Sequence, residues 1–71
     1  MAYNYSIPLE ETPYYVKVNV IIWSYQNLSY GKDFAYSEET ADIHGIEVSC
    51  PKWIWFNREE DVLALRLRFK L

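Results

Sequence analysis

Val62-Leu63-Ala64-Leu65-Arg66-Leu67-Arg68-Phe69-Lys70-Leu71 is the stretch on which the fold turns. Leu63, Leu65, Leu67, Phe69 and Leu71 share one parity, and Val62, Ala64, Arg66, Arg68 and Lys70 share the other. Successive side chains of a strand point to opposite faces, so this alternation is what a half-buried strand displays. A helix competes with it, because Asn57 could cap one, Glu60 could close a capping box, and bases gather towards the end. Placed at 100° per residue, however, the leucines scatter around the axis and Arg66 falls inside the apolar arc. The spacing predicts an extended C-terminal segment.

Outward from that segment, Trp53-Ile54-Trp55-Phe56 is expected to pair with it across Asn57-Arg58-Glu59-Glu60-Asp61. A five-residue loop would place Trp53 and Trp55 on the leucine face, and a four-residue loop would place both on the face of Arg66 and Arg68. Either register leaves an apolar surface opposite the leucines that something must cover.

Further upstream, Tyr3, Tyr5 and Ile7 alternate as a short first strand, and the segment Pro8 to Pro13 turns the chain. Tyr14 to Tyr25 is expected as a long strand, with Val16, Val18, Val20 and Ile22 on its core face. Gln26 to Lys32 has turn chemistry, and Asp33 to Tyr36 forms a returning strand. Ser37 to Gly45 is expected as a brief helix, about 38–44, with Ser37 as cap, acids in the first turn and Gly45 at its end. Ile46, Val48 and Cys50 alternate as a strand that Pro51 interrupts. The expected fold class is α+β and β-dominated: a small, mainly antiparallel sheet of four to five strands with at most one short helix, in a single domain over residues 1–71.

Composition narrows the function classes. A chain of 71 residues has room for one modest core, and its 51% hydrophobic and 24% charged residues are those of a globular domain. Seven Tyr, three Trp and three Phe supply large rings that help a short chain stabilise itself and also carry interface energy. Cys50 is the single cysteine, so no intrachain disulfide can form, and the N-terminal stretch has neither basic nor apolar leader character. The longest apolar runs, Val20 to Trp23 among them, are too short for a bilayer, so a cytoplasmic protein with no membrane partner is expected.

The net charge is −3, but it is unevenly placed. Residues 1–65 set ten acids against four bases, a balance of −6, and the last six residues add Arg66, Arg68 and Lys70. An acidic body disfavours broad contact with phosphate backbones and suits a basic protein partner.

No constellation supports catalysis. His44 is the sole histidine, no Cys/His spacing resembles a zinc site, and Gly31 and Gly45 are too far apart for a phosphate cradle. No cofactor or metal is expected. The acidic clusters Glu38-Glu39-Asp42 and Glu59-Glu60-Asp61 sit on expected turns or a helix start and solubilise the chain. They could also imitate a row of phosphates. In size and charge the chain resembles small acidic inhibitors of phages and other mobile elements, such as anti-CRISPR and anti-restriction proteins.

The expected function is therefore that of a non-catalytic protein-binding module, an inhibitor that occludes a larger protein or nucleoprotein complex, such as a basic nucleic-acid-binding surface. Its expected contact residues are Trp53, Ile54, Trp55 and Phe56, bordered by Glu59, Glu60, Asp61, Glu38, Glu39 and Asp42. Two alternatives stand beside it. One is a structural or adaptor subunit forming a homodimer or larger homo-oligomer. The other is a single-stranded nucleic-acid binder that stacks bases on Trp and Tyr and follows the backbone with Arg66, Arg68 and Lys70, though an acidic body makes direct nucleic-acid contact the weaker expectation.

Overall fold

The computed structural model describes residues 3–71; Met1 and Ala2, which open the stretch read against a leader, lie outside the described residues. The elements run β1 (Tyr5–Pro8), α1 (Tyr14–Asn27), β2 (Phe34–Tyr36), β3 (Thr40–Ile43), β4 (Ile46–Ser49), β5 (Trp53–Phe56) and α2 (Glu59–Phe69). The class is α+β with mostly antiparallel strands, as expected. Instead of one sheet with at most one helix, the described residues form a three-stranded sheet, a two-stranded sheet and two helices.

The C-terminal stretch is the first correction. Residues 62–69 are helical, within α2, and do not pair with β5. Glu59, Glu60 and Asp61 fill the first turn and Arg66 and Arg68 the last, which suits the helix dipole at both ends. Lys70 closes the helix in a left-handed conformation, its N–H donating to the Arg66 carbonyl at 2.7 Å. Asn57 is not the cap: the N-cap is Arg58, and the Asn57 amide donates instead to the Lys32 carbonyl at 2.6 Å. Val62 and Leu65 enter the core and Phe69 packs beside it, whereas Leu63 and Leu67 face solvent. The leucines do scatter around the axis. The helix tolerates it because only a narrow stripe is buried.

Tyr14 to Tyr25 is the second correction, since it belongs to α1. Its buried stripe is Lys17, Val20 and Ser24, flanked by Val16, Ile21, Trp23 and Leu28. Two polar residues on that stripe conceal the helical period. The Ser24 hydroxyl donates to the Val20 carbonyl at 2.9 Å, and Lys17 buries its methylenes while its ammonium reaches Cys50 Sγ at 3.5 Å. The β-branched residues of α1 lower its helix propensity by a few tenths of a kcal/mol each, roughly. Burying Val20 and its neighbours outweighs that cost.

The third correction concerns 38–44, which form strand β3 and a turn in place of a helix.

β5 lies at the centre of the larger sheet, antiparallel to β1 on one side and β2 on the other. The register places Ile7 opposite Ile54 and Phe34 opposite Phe56, so these four share one face. They form a single core with Leu9, Val20 of α1, and Val62 and Leu65 of α2, so both helices pack on that face. Ser6, Pro8, Ala35, Trp53 and Trp55 occupy the other face, which neither helix covers. Leu9 donates to the Lys52 carbonyl at 2.7 Å, which turns the odd-numbered backbone groups of β1 inward. Pro8, with no N–H to offer, thereby falls on the free edge.

Candidate protein-binding surface

β3 and β4 form a hairpin, called the arm here, closed by the two-residue turn His44-Gly45. Both turn residues have positive φ, 53° and 81°, as a type I′ turn requires. Asp42 steadies the turn by accepting the Gly45 N–H at 2.8 Å. At the root, Cys50 N–H donates to the Glu39 carbonyl at 2.7 Å, and the Ser37 hydroxyl accepts from Lys52 and Trp53 N–H at 2.8 and 3.1 Å. Lys52 pairs with Glu39 at 3.3 Å, and Pro51 is buried. The root is anchored, and the rest projects.

The arm segregates its side chains cleanly. Its register pairs Ala41 with Val48 and Ile43 with Ile46 on one face, and Thr40 with Ser49 and Asp42 with Glu47 on the other. None of these strand residues is buried, and none belongs to the core. Ile43 is 43% exposed and Ile46 is 64% exposed. Asp42 opposite Glu47 sets like charges side by side, which works against the hairpin's own stability.

The residues expected as a contact surface do not come together. Ile54 and Phe56 are wholly buried beneath the helices, so neither can meet a partner. Trp53 and Trp55 lie on the uncovered sheet face, with Trp53 39% exposed and Trp55 half-buried. Glu59 and Glu60 are exposed at the start of α2. Asp61 is nearly buried and held in a bidentate contact by Arg58, Nε to Oδ2 at 3.0 Å and Nη2 to Oδ1 at 3.2 Å. That contact also raises the guanidinium of Arg58 above its ordinary range. Glu38, Glu39 and Asp42 belong to the arm and its root, with Glu39 engaged by Lys52.

Two surfaces escaped the sequence reading: the arm's apolar face, and Leu63 and Leu67 on the outer side of α2, 53% and 83% exposed. An X-Gly pair ahead of the alternating Ile46 and Val48 was the available signal for the first.

The combination needed to follow a nucleic-acid strand is divided. Trp55 lies on the sheet face away from α2, while Arg68 stacks over Phe69 at 5.0 Å and lines a groove between the helices. Trp53 and Arg66 both line an open groove of about 610 Å³ at the end of β1. Glu10 and Glu11 line the same groove and would repel phosphates.

Beside the arm's root, Tyr25, Tyr30, Phe34 and Tyr36 form a ring cluster with centroids 5.3 to 6.5 Å apart. The hydroxyls of Tyr25 and Tyr36 are hydrogen-bonded at 3.0 Å. That bond, then burial, then the neighbouring Tyr25, Tyr30 and Glu38, push the Tyr36 hydroxyl up to about 12.

Among the described residues, no group of three His, Cys, Asp or Glu side chains is placed to hold a metal, and no helix is long and apolar enough to cross a membrane. His44, the sole histidine, sits exposed at the arm's tip. No protein-family model, curated protein or solved structure matches the chain.

Proposed function

We propose that this chain is a non-catalytic protein-binding module whose contact element is the β3–β4 arm. The observation that carries the reading is the arm's segregation, with Ala41, Ile43, Ile46 and Val48 on one face, Ile43 and Ile46 exposed and Ala41 and Val48 half-buried. A two-stranded hairpin is marginal in water by itself, and this one leaves both edges and its apolar side open. A surface laid over that side recovers the hydrophobic free energy the arm forgoes when free.

The arm's charge describes the partner. Residues 37–50 contain Glu38, Glu39, Asp42 and Glu47 and neither Lys nor Arg. Asp42 and Glu47 lie on the face opposite the apolar strip, so the charge acts as a field of the whole arm, and its complement is an apolar strip on a broadly basic surface. The finer form of the proposal is an inhibitor that covers such a strip on a basic, nucleic-acid-handling protein, where opposite charge would speed encounter.

The test is a photo-crosslinking residue placed at Ile46 and, as a control, at Tyr15, which is 70% exposed on α1. In the native cell, position 46 should give discrete protein adducts that Glu38→Lys with Glu47→Lys reduces at least tenfold, since neither side chain braces the turn. Adducts equally abundant from position 15, or none from position 46, would remove the arm as the contact element.

A further inference from the structure

Lys17 and Cys50 are 33 residues apart in sequence and meet where α1 passes the arm's root, with Lys17 Nζ 3.5 Å from Cys50 Sγ. Lys17 is only 7% exposed. Among the described residues its ammonium pairs with no carboxylate and has that sulfur as its one hydrogen-bond partner. Sulfur is a weak acceptor and compensates a buried cation poorly. What the pair offers instead is two nucleophiles at close range, held from both sides. Lys17 lies on the buried stripe of α1, while the Cys50 N–H donates to the Glu39 carbonyl at 2.7 Å and the adjoining Pro51 is buried.

We propose that this pair is an oxidative modification site, at which hydrogen peroxide joins Lys17 to Cys50 through a nitrogen–sulfur bond. The site stands independently of what the arm binds. An open pocket of about 230 Å³, lined by Lys17 and by Ser49 and Pro51 on either side of Cys50, admits small solutes. A water molecule takes about 30 Å³ in the liquid, so a peroxide molecule has ample room.

The chemistry has two steps. The Cys50 sulfur attacks one peroxide oxygen, the O–O bond breaks, and the other oxygen leaves as water with the thiol proton, giving a sulfenic acid. Cys50 is the single cysteine, so no second thiol of the chain can capture that acid as a disulfide. The Lys17 amine, its extra proton released to solvent, then attacks the same sulfur. The S–O bond breaks as the N–S bond forms, and the hydroxyl leaves as a second water with one amine proton. Sulfur supplies the two electrons that reduce the peroxide. The 3.5 Å separation falls within the about 3–3.5 Å of a near-attack geometry, and the neutral product removes a buried cation. The bond fastens the arm's root to α1.

Mass spectrometry of the full chain treated with hydrogen peroxide tests the proposal. The expected product has lost two hydrogens and gained no oxygen. Trypsin should leave it uncut after Lys17 and release the peptides of Lys17 and Cys50 as one species, which dithiothreitol separates by reducing the N–S bond. The joined species should fall at least tenfold when peroxide is added in urea that unfolds the chain, because the contact depends on the fold. Lys17→Arg keeps the cation but presents no amine, so Cys50 should gain oxygen instead. The urea comparison uses the wild-type chain and holds even if that variant fails to fold. Cys50 that only gains oxygen in the folded wild type, a disulfide between two chains, or a bond to Lys52, which is engaged by Glu39, would each overturn the proposal. So would a joined species equally abundant in urea.

Discussion

β4 and β5 are strands of equal length, Ile46–Ser49 and Trp53–Phe56, yet they meet opposite fates. β5 has a strand on either side and two helices on one face, so Ile54 and Phe56 are wholly buried. β4 has β3 alone, and Ile46 remains 64% exposed. Local pattern made both of them strands. Neighbours decided which became core, and the contrast teaches that the body of this molecule is held by burial while the arm is held by its turn and ladder.

The largest effect that could break this comparison lies in the body. Phe56 stacks on Phe34 with ring centroids 6.4 Å apart and is fully enclosed. Phe56→Ala should cost about 3–5 kcal/mol, for lost transfer energy and the cavity left behind. A domain this small holds only about 4–10 kcal/mol, so the substitution removes from about a third to all of it. Ile46→Ala should cost less than about 0.5 kcal/mol, as for an exposed site. Urea unfolding followed by tryptophan fluorescence measures both, and similar losses would mean the arm is part of the core.

An intermediate effect sharpens the contrast from the arm's side. Gly45 has φ of 81°, and a Cβ added there would meet nothing within 4 Å. Gly45→Ala therefore strains only the backbone torsion, at about 1 kcal/mol. Hydrogen exchange should quicken several-fold over residues 40–49, leaving the amides of β5 and the helices at wild-type rates. Equal acceleration of β5 amides would show the two regions unfolding as one unit.

The same contrast accounts for what the sequence disclosed. β1, β2 and β4 were legible because alternation and turn residues are local signals, as was the turn at Pro8 to Pro13; β5 was expected as a strand, but as the partner of a C-terminal strand that is instead α2. The helices were not, because their apolar residues do not mark their buried sides. α1 buries Lys17 and Ser24 while exposing Tyr15 and Ile22, and α2 exposes Leu63 and Leu67 while burying Asp61. The charges of α2, acids first and bases last, did point to a helix, but the leucine alternation outweighed them. For the candidate site, the acids Glu38, Glu39 and Asp42 were found, but Ile43 and Ile46 were not. Ser37 and Gly45 fit a helix cap and stop as well as they fit a hairpin's root and tip, and only pairing with β4 distinguishes the two.

The smallest effect lies at the seam between the regions, where Tyr36 ends β2 just before the arm's root. Its hydroxyl is pushed up to about 12 from an ordinary 10.0, first by the bond with Tyr25. Between these values the native state holds a proton that the unfolded chain has released. The stabilisation is therefore complete below pH 10 and is lost as pH rises from about 10 to 12. Tyr25→Phe removes the bond, so the decline attributable to Tyr36 should shrink and move back towards pH 10. Tyr36→Phe should abolish that component, and Ile46→Ala should leave it unchanged because the arm's apolar face has no part in it. Thermal midpoints across this pH window, taken as differences from wild type, resolve the three. A Tyr25→Phe difference curve that stays flat would mean the hydroxyl pair does not hold the proton, and that packing alone sets the body's edge where the arm begins.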